Sequence, residues 1–488
     1  MGLKSWLSGP KRREGKEPES QSAVVLDRHR VAVLPFTNLS PDPVEGYFAD
    51  GMTEEVITSL SGVKQLTVIA RTSVMTYKGS QKRAGDVGRE LGAGTLIEGS
   101  VRKAGNKVRI TAQLIDTASE GHLWARNYDR QLEDVFAIQS EIAEMLAGEL
   151  KIRLVDSEKH AIQKPSTTNT EAYSLFLQGR ELVRTETEPA LKRAVGLLEE
   201  AVRLDPSFAR AYAVLGECLR LVANYGYQPS DETLSMAKLS VKKALDLDPE
   251  LGEAWATLAS IHTQEDDIAS GELESKRAIE ANPNLPEAHR TLANLTMSAG
   301  KGEEGLRHWE AAYRLDPVRP RIIENLGLFY FYLGRESEAV RFWEKTEQLA
   351  PAGTYRNLTE YFLAKGDLAK AKDALNKANQ LEPEAQLSEW MGGFIAAIAG
   401  DKKTAYDVIR RIEERQNPRL LNTIGFIHYA LGDLDSFFAY TNKAFDLQAL
   451  WYVQLMYSPL FAKARQDPRY DQLMDRVKRV EEQSYRRK

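Results

Sequence analysis

Asp50, Glu54, Arg71 and Arg102 are the residues of the first third of the sequence whose types could hold a cation or a charged small molecule. Two carboxylates can ligate a cation, and two guanidinium forks can grip an anionic group. The competing reading of Asp50 and Glu54 is a helix cap with a salt bridge. Arg71-Thr72-Ser73 follows a probable strand, where ligand loops of α/β folds often sit. The seven histidines, His29, His122, His160, His262, His289, His308 and His428, are scattered. None makes an i, i+4 pair or a metal-spaced set with Cys218, the single cysteine, so structural roles are expected and no metal or cofactor is. Gly92-Ala93-Gly94 resembles a piece of a phosphate loop, but it lacks a third glycine and precedes a strand. It reads as a helix stop. No catalytic constellation emerges, and the chain is expected not to be an enzyme.

A second set of residues has the chemistry of recognition, and a repeat positions them. Pro206, Pro249, Pro283, Pro317, Pro351 and Pro383 are spaced by 43, 34, 34, 34 and 32 residues. Five of them follow leaders such as Leu204-Asp205 and Leu315-Asp316, and each of the six is expected to end a helix. Small residues recur inside the period, among them Gly271, Ala278, Gly305, Ala312, Ala339, Ala371 and Ala378. They suit places where two helices approach closely. The pattern resembles the tetratricopeptide repeat, a helix-turn-helix unit of about 34 residues. The 43-residue interval keeps both ends in register, with nine extra residues near Asn224–Pro229. Such an insertion costs little.

In that family the first helix of each repeat lines a concave groove. The resemblance places Arg290, Asn294 and Met297 there, then Glu324, Leu328 and Phe331, then Arg356, Glu360 and Leu363. Trp390 and Phe394, then Asn422, Phe426 and Tyr429, follow. The middle of this surface is polar and its C-terminal end is aromatic. Aromatic and arginine groups are the usual interface anchors. Phe394 and Phe426 could equally pack between repeats.

Residues 29–155 do not follow the repeat. Strands are expected at Arg30–Phe36, Leu66–Ala70, Thr95–Lys103, Lys107–Asp116 and His122–Tyr128. Val108, Ile110, Ala112 and Leu114 alternate and should share a face. Asp50 is expected to cap a helix reaching Leu60, with Glu54 and Glu55 in its first turn. A short helix should stop at Gly92, and an amphipathic one should run from Asp134 to Leu154. Val31–Phe36, Tyr47–Glu55, Glu98–Arg102 and Ala112–Asp116 together resemble the TolB amino-terminal-like (FlgO-like) domain over about residues 30–150. In bacterial proteins that domain often precedes tetratricopeptide repeats and follows a cyclase, kinase or DNA-binding domain.

The expected fold is therefore an α/β domain with a mixed sheet and flanking helices, followed by an all-α tetratricopeptide solenoid. The expected boundaries are a disordered tail at 1–28, the α/β domain at 29–155 and a linker at 156–170. About eight repeats at 171–449 and a polar capping region at 450–488 complete the chain. A net charge of −5 over 488 residues implies no general affinity for nucleic acid. No run approaches the roughly 20 apolar residues that span a bilayer. One cysteine excludes an intrachain disulfide and suits a reducing compartment, so a cytoplasmic protein is expected, and the resemblance implies a bacterial one. The expected role is a signalling scaffold that holds a protein or peptide partner in the groove, with self-association possible. Two alternatives are a regulatory subunit of a separately encoded nucleotide cyclase and a small-molecule-binding or enzymatic N-terminal domain.

Overall fold

A computed structural model describes residues 26–42, 45–131, 134–164, 166–228, 230–265, 267–383, 389–417, 420–447 and 452–486. The tail expected up to residue 28 lies outside this set except for its last three residues, and so do Pro229 and Leu450. Two compact units are present. Among the described residues, one holds 26–292 together with Ala311–Pro317; the other holds Ala293–Glu310 and those from Val318 on.

The first unit opens with β1 (Arg30–Val33), β2 (Thr37–Asn38), α1 (Gly46–Ser61), β3 (Thr67–Val68), α2 (Arg71–Met75) and α3 (Ala84–Leu91). Then come β4 (Thr95–Ala104), β5 (Lys107–Asp116), β6 (His122–Gln131), α4 (Val135–Glu149) and α5 (Asp156–Gln163). The sheet order is β3-β1-β4-β5-β6, with β2 also on β4. β1 is parallel to β3 and β4, and β4, β5 and β6 form an antiparallel meander. Val31, Ala32 and Val33 are all buried, as a central parallel strand covered on both faces requires. Val108, Ile110, Ala112 and Leu114 are buried in β5, and Lys107 and Arg109 are exposed, so the alternation is realised. Gly92 ends α3 at φ 67°, its N–H bonded to the Gly88 carbonyl.

Three expectations are corrected here. α1 starts at Gly46, so Asp50 is inside the helix and caps nothing, and Glu54 and Glu55 lie in its middle. The start was hard to read because Glu45, the capping residue, makes no side-chain cap. The helix from residue 134 ends at Glu149, where Lys151 turns to φ 55°, and part of the expected linker is the helix α5. Arg71-Thr72-Ser73 is the start of α2 rather than a loop.

Eight antiparallel helix pairs follow among the described residues. They are α6/α7 (Thr170–Val183, Glu188–Leu204), α8/α9 (Ala209–Asn224, Ser230–Leu247), α10/α11 (Gly252–Gln264, Ile268–Ala281) and α12/α13 (Pro286–Ser298, Gly302–Leu315). The others are α14/α15 (Pro320–Tyr332, Glu336–Thr346), α16/α17 (Pro351–Ala364, Leu368–Leu381), α18/α19 (Glu389–Ile398, Lys402–Glu414) and α20/α21 (Leu421–Ala430, Leu434–Asp446). The chain is thus an α/β domain followed by a tetratricopeptide-like helical solenoid. Small residues sit where expected: Ala278, Ala312 and Ala378 are fully buried. A Cβ on Gly327 would strike the Trp343 ring, so only glycine lets α14 and α15 approach this closely.

Five of the six prolines follow their helix by two residues. Pro351 does not: it opens α16 at the first helical position. That place suits proline, because its missing N–H would have had no intrahelical partner. The insertion lengthens α8 and α9 to 16 and 18 residues, against 13 and 14 in α10 and α11. After α21 come α22 (Tyr452–Tyr457), two 3-10 turns at Pro459–Phe461 and Ala464–Gln466, and α23 (Pro468–Arg486). α23 caps α21: Arg469 bonds Asp435 at 2.6 Å and covers the Phe438 ring, and Arg476 bonds Asn442.

Candidate functional site

Within the first unit, α1 offers two adjacent carboxylates to arginines of the first two repeats. Arg180 bonds Glu55 at 2.7 Å and approaches Glu54 at 3.2 Å. Arg184 bonds Glu54, Arg210 bonds Glu55, and Arg71 reaches Glu54 at 3.5 Å and Glu181 at 2.7 Å. Arg180 and Arg210 also stand over the Phe176 ring, 4.7 and 5.5 Å from its centre. Burial works against ionisation of Glu54, but Arg180, Arg184, Arg71 and Arg210 outweigh it and hold the carboxyl down at about 2. Burial also pushes Arg184 down to about 10, with Glu54 opposing. Four cations and three anions thus join α1 and α2 to α6 and α8.

The loops of later repeats seal the sheet edge in the same unit. The Asn284 side chain accepts from the Val68 N–H at 2.8 Å and donates to the Ser61 and Leu66 carbonyls at 2.9 and 3.1 Å. It satisfies edge groups of β3 that would otherwise be buried and unpaired. The Ala70 N–H donates to the Leu315 carbonyl at 2.8 Å, and Ser73 donates to Asp316 at 2.6 Å. The residues just before and after the repeat prolines therefore grip the α/β domain as well as ending helices.

Of the four N-terminal candidates, only Glu54 and Arg71 come together. Asp50 pairs with Lys78 at 2.7 Å. Arg102 faces Arg109 across β4 and β5 and lines an open cleft of about 610 Å³ with Lys107, Arg130 and Asp134. The sequence reading missed Glu55, Arg180, Arg184 and Arg210. The one available signal was two arginines spaced four apart, Arg180 and Arg184, at the end of a helix with an apolar stripe of Ala172, Tyr173, Phe176 and Leu177.

Arg290, also in the first unit, is half-buried and pairs with Glu287 at 2.7 Å. In the second unit Asn294 is half-buried on α12, and Met297 is buried. Arg356 bridges Glu382 at 2.6 Å and Glu324 at 3.6 Å. Burial raises the Glu324 carboxyl, and Arg356 only partly offsets this. Leu328, Phe331 and Leu363 are buried; the Phe331 ring lies 5.4 Å from Tyr361 and 6.2 Å from Trp343.

Glu360 is 2% exposed, and among the described residues no cation pairs with it. Tyr332 donates to it at 2.9 Å, Gln454 at 3.0 Å and Ser458 at 2.6 Å. Burial raises its carboxyl, and the hydrogen bonds from Ser458, Tyr332 and Gln454 counter this. Two of the three donors come from the C-terminal segment. The aromatic end of the surface is covered by the same segment. The Phe461 ring, fully buried, lies 4.5 Å from Phe426, 5.2 Å from Tyr429, 6.2 Å from Phe437 and 6.4 Å from Phe394. Trp390 packs on Phe394 and Phe426 at 5.9 and 5.3 Å, and Asn422 is buried near the start of α20. Tyr457 donates to the Met297 carbonyl at 3.2 Å. Arg465 clips the segment by donating to the Leu455 and Ser458 carbonyls, each at 2.9 Å.

The expected polar cap is therefore corrected for its first part. Only α23 behaves as a cap; residues 453–464 lie against the first helices of the preceding repeats. Val453, Leu455 and Phe461 are too apolar for a solvated end, and that composition was the readable sign. Among the described residues no group of three His, Cys, Asp or Glu side chains is placed to hold a metal. No described helix is long and apolar enough to cross a membrane.

No family model matches the chain. "Putative adenylate cyclase 3" of Rhizobium meliloti (strain 1021) is 38% identical to it over 259 residues, which is 52% of this chain and 44% of that protein. The chain thus spans less than half the length of this relative. Among solved structures, it is similar to YrrB, a TPR protein with an unusual peptide-binding site, at 17% identity and TM-score 0.31 over 39% of this chain and 95% of that one. It is also similar to Pseudomonas aeruginosa pilF, at 20% identity and TM-score 0.35 over 43% and 92% of the two chains. The Cut9–Hcn1 assembly of the APC/C matches at 14% identity and TM-score 0.40 over 68% and 59%.

Proposed function

We propose that this chain is an interaction scaffold whose repeats hold a segment of a protein partner on the face lined by their first helices. The observation that carries the reading is that this face, from Glu360 to Tyr429, accommodates a peptide segment with directed hydrogen bonds and a deeply seated aromatic ring. Toward Asn294, Glu324 and Arg356 the face is more polar and partly exposed, and it suits a partner with both charges. Arg290 is a further candidate within its own unit. The α/β domain, whose sequence segments resemble the TolB amino-terminal-like domain, serves as the anchored end of the array. Capture of partners by the full chain from its native cell should lose a specific protein at least tenfold in an Asn294→Ala/Arg356→Ala variant. Equal capture by a variant of unchanged helicity would overturn the groove as the binding face.

A second reading rests on the relative named for adenylate cyclase. Under it, the α/β domain and repeats regulate a nucleotide cyclase. Cyclic nucleotide formation from ATP co-purifying with the chain supports this reading, and an intact complex without such activity counts against it.

A further inference from the structure

We infer that residues 454–461 are a built-in ligand of the repeat surface, and that a partner binds the same seat by the same chemistry after displacing them. This deepens the scaffold reading and depends on it. Three observations carry it.

The segment is not a ninth repeat. It belongs to a six-residue helix, Tyr452–Tyr457, and the 3-10 turn Pro459–Phe461, whereas the eight preceding pairs use helices of ten residues or more. Its polar contacts also reach beyond the adjacent pair that holds Phe461: Ser458 and Gln454 bond Glu360, which is 98 and 94 residues away, and Tyr457 bonds Met297, 160 residues away.

The seat is specific. Glu360 is a buried acceptor that needs donors, and the segment supplies a side-chain amide and a hydroxyl one helical turn apart. Three residues after Ser458, Phe461 enters a pocket walled by Phe394, Phe426, Tyr429 and Phe437. The recognised pattern is Gln-x-x-x-Ser-Pro-x-Phe, with the amide, the hydroxyl and the ring all directed at the repeats. Buried aromatic anchors beside satisfied polar groups are the form taken by interface hot spots.

The segment is pre-formed. Arg465 donates to the Leu455 and Ser458 carbonyls and so holds the bend between the helix and Pro459 from within the same stretch of chain. A tethered ligand of this kind has an effective concentration on the order of millimolar, which an external partner must exceed in affinity or avidity. The partner class follows: a protein carrying a short turn-forming segment with an amide donor, a hydroxyl four residues later and an aromatic ring three residues after that.

The test uses the full chain and a fluorescent synthetic peptide with the sequence of residues 452–467. The wild-type chain should bind it poorly, because the tethered copy holds the seat. Ser458→Asp sets a second carboxylate against Glu360, and Phe461→Ala empties the pocket; each should release the segment. Hydrogen exchange should then rise at residues 453–461, and the peptide should bind at least tenfold more tightly than to wild type. Release without peptide binding overturns the inference, since the segment would then be ordinary core. So does collapse of the array in both variants. Either outcome removes the seated segment as support for the scaffold reading, whose separate test is partner capture by the Asn294→Ala/Arg356→Ala variant.

Discussion

Glu360 and Glu54 are both buried carboxylates, and their surroundings push them in opposite directions. Glu54 lies among four arginines and is held down at about 2; Glu360 has only neutral donors and is raised by burial. Replacing Glu360 by Gln keeps an acceptor for Tyr332 and Ser458, lets the Gln454 amide turn to accept from the new N–H, and removes the ionisable group that burial disfavours. We expect Glu360→Gln to raise stability by about 1 kcal/mol at neutral pH, read by urea unfolding. Removing Arg180 acts in the other sense, because it leaves Glu54 and Glu55 buried with fewer partners. Arg180→Ala should cost about 3 kcal/mol, and an unchanged denaturation midpoint would show that the cluster contributes little. The individual residues were visible in the sequence, but their partners were not: Arg180 and Glu55 are 125 positions apart.

At the scale of elements, the helix pairs follow from local pattern. The proline beat, the small residues and the alternation in β5 each act within one or two turns or strands, so they could be read in advance. Pro351 shows the limit: proline is compatible with the residue after a helix and with the first residue of one, and spacing alone does not choose. Gly327→Val should force the Trp343 ring out of place and cost about 1–3 kcal/mol, measured as a lower midpoint with an unchanged slope. Asn284→Ala should raise hydrogen exchange at Val68 by exposing the β3 edge while leaving β5 unaffected. Equal protection at Val68 in the variant would mean that the edge finds another partner.

For the whole molecule, the two buried carboxylates predict opposite responses to acid. Glu54 has a folded value below its unfolded one, so its contribution is complete above about 4.5 and is lost as pH falls toward about 2. Glu360 has a folded value above its unfolded one, so its contribution is complete below the unfolded value and is lost as pH rises through the folded one. Hydrogen exchange after a drop from neutral pH to about 3 should therefore loosen α1 and α6 before it loosens α16 and the segment around Ser458. Loosening in the reverse order would contradict these assignments.

The sequence by itself determined the solenoid, the strands of the meander and the stop at Gly92. All of these are set by neighbours within a few tens of residues, where periodicity and backbone preference operate. Only the tertiary structure decided which charges meet on α1, that Asn284 and Asp316 hold the α/β domain, and that residues 454–461 take the seat at Glu360. Most of those contacts join positions roughly 100 or more apart, and over such distances a chain carries no repeating pattern to read. They are selected by which buried donors, acceptors and rings can satisfy one another once the helices are in place.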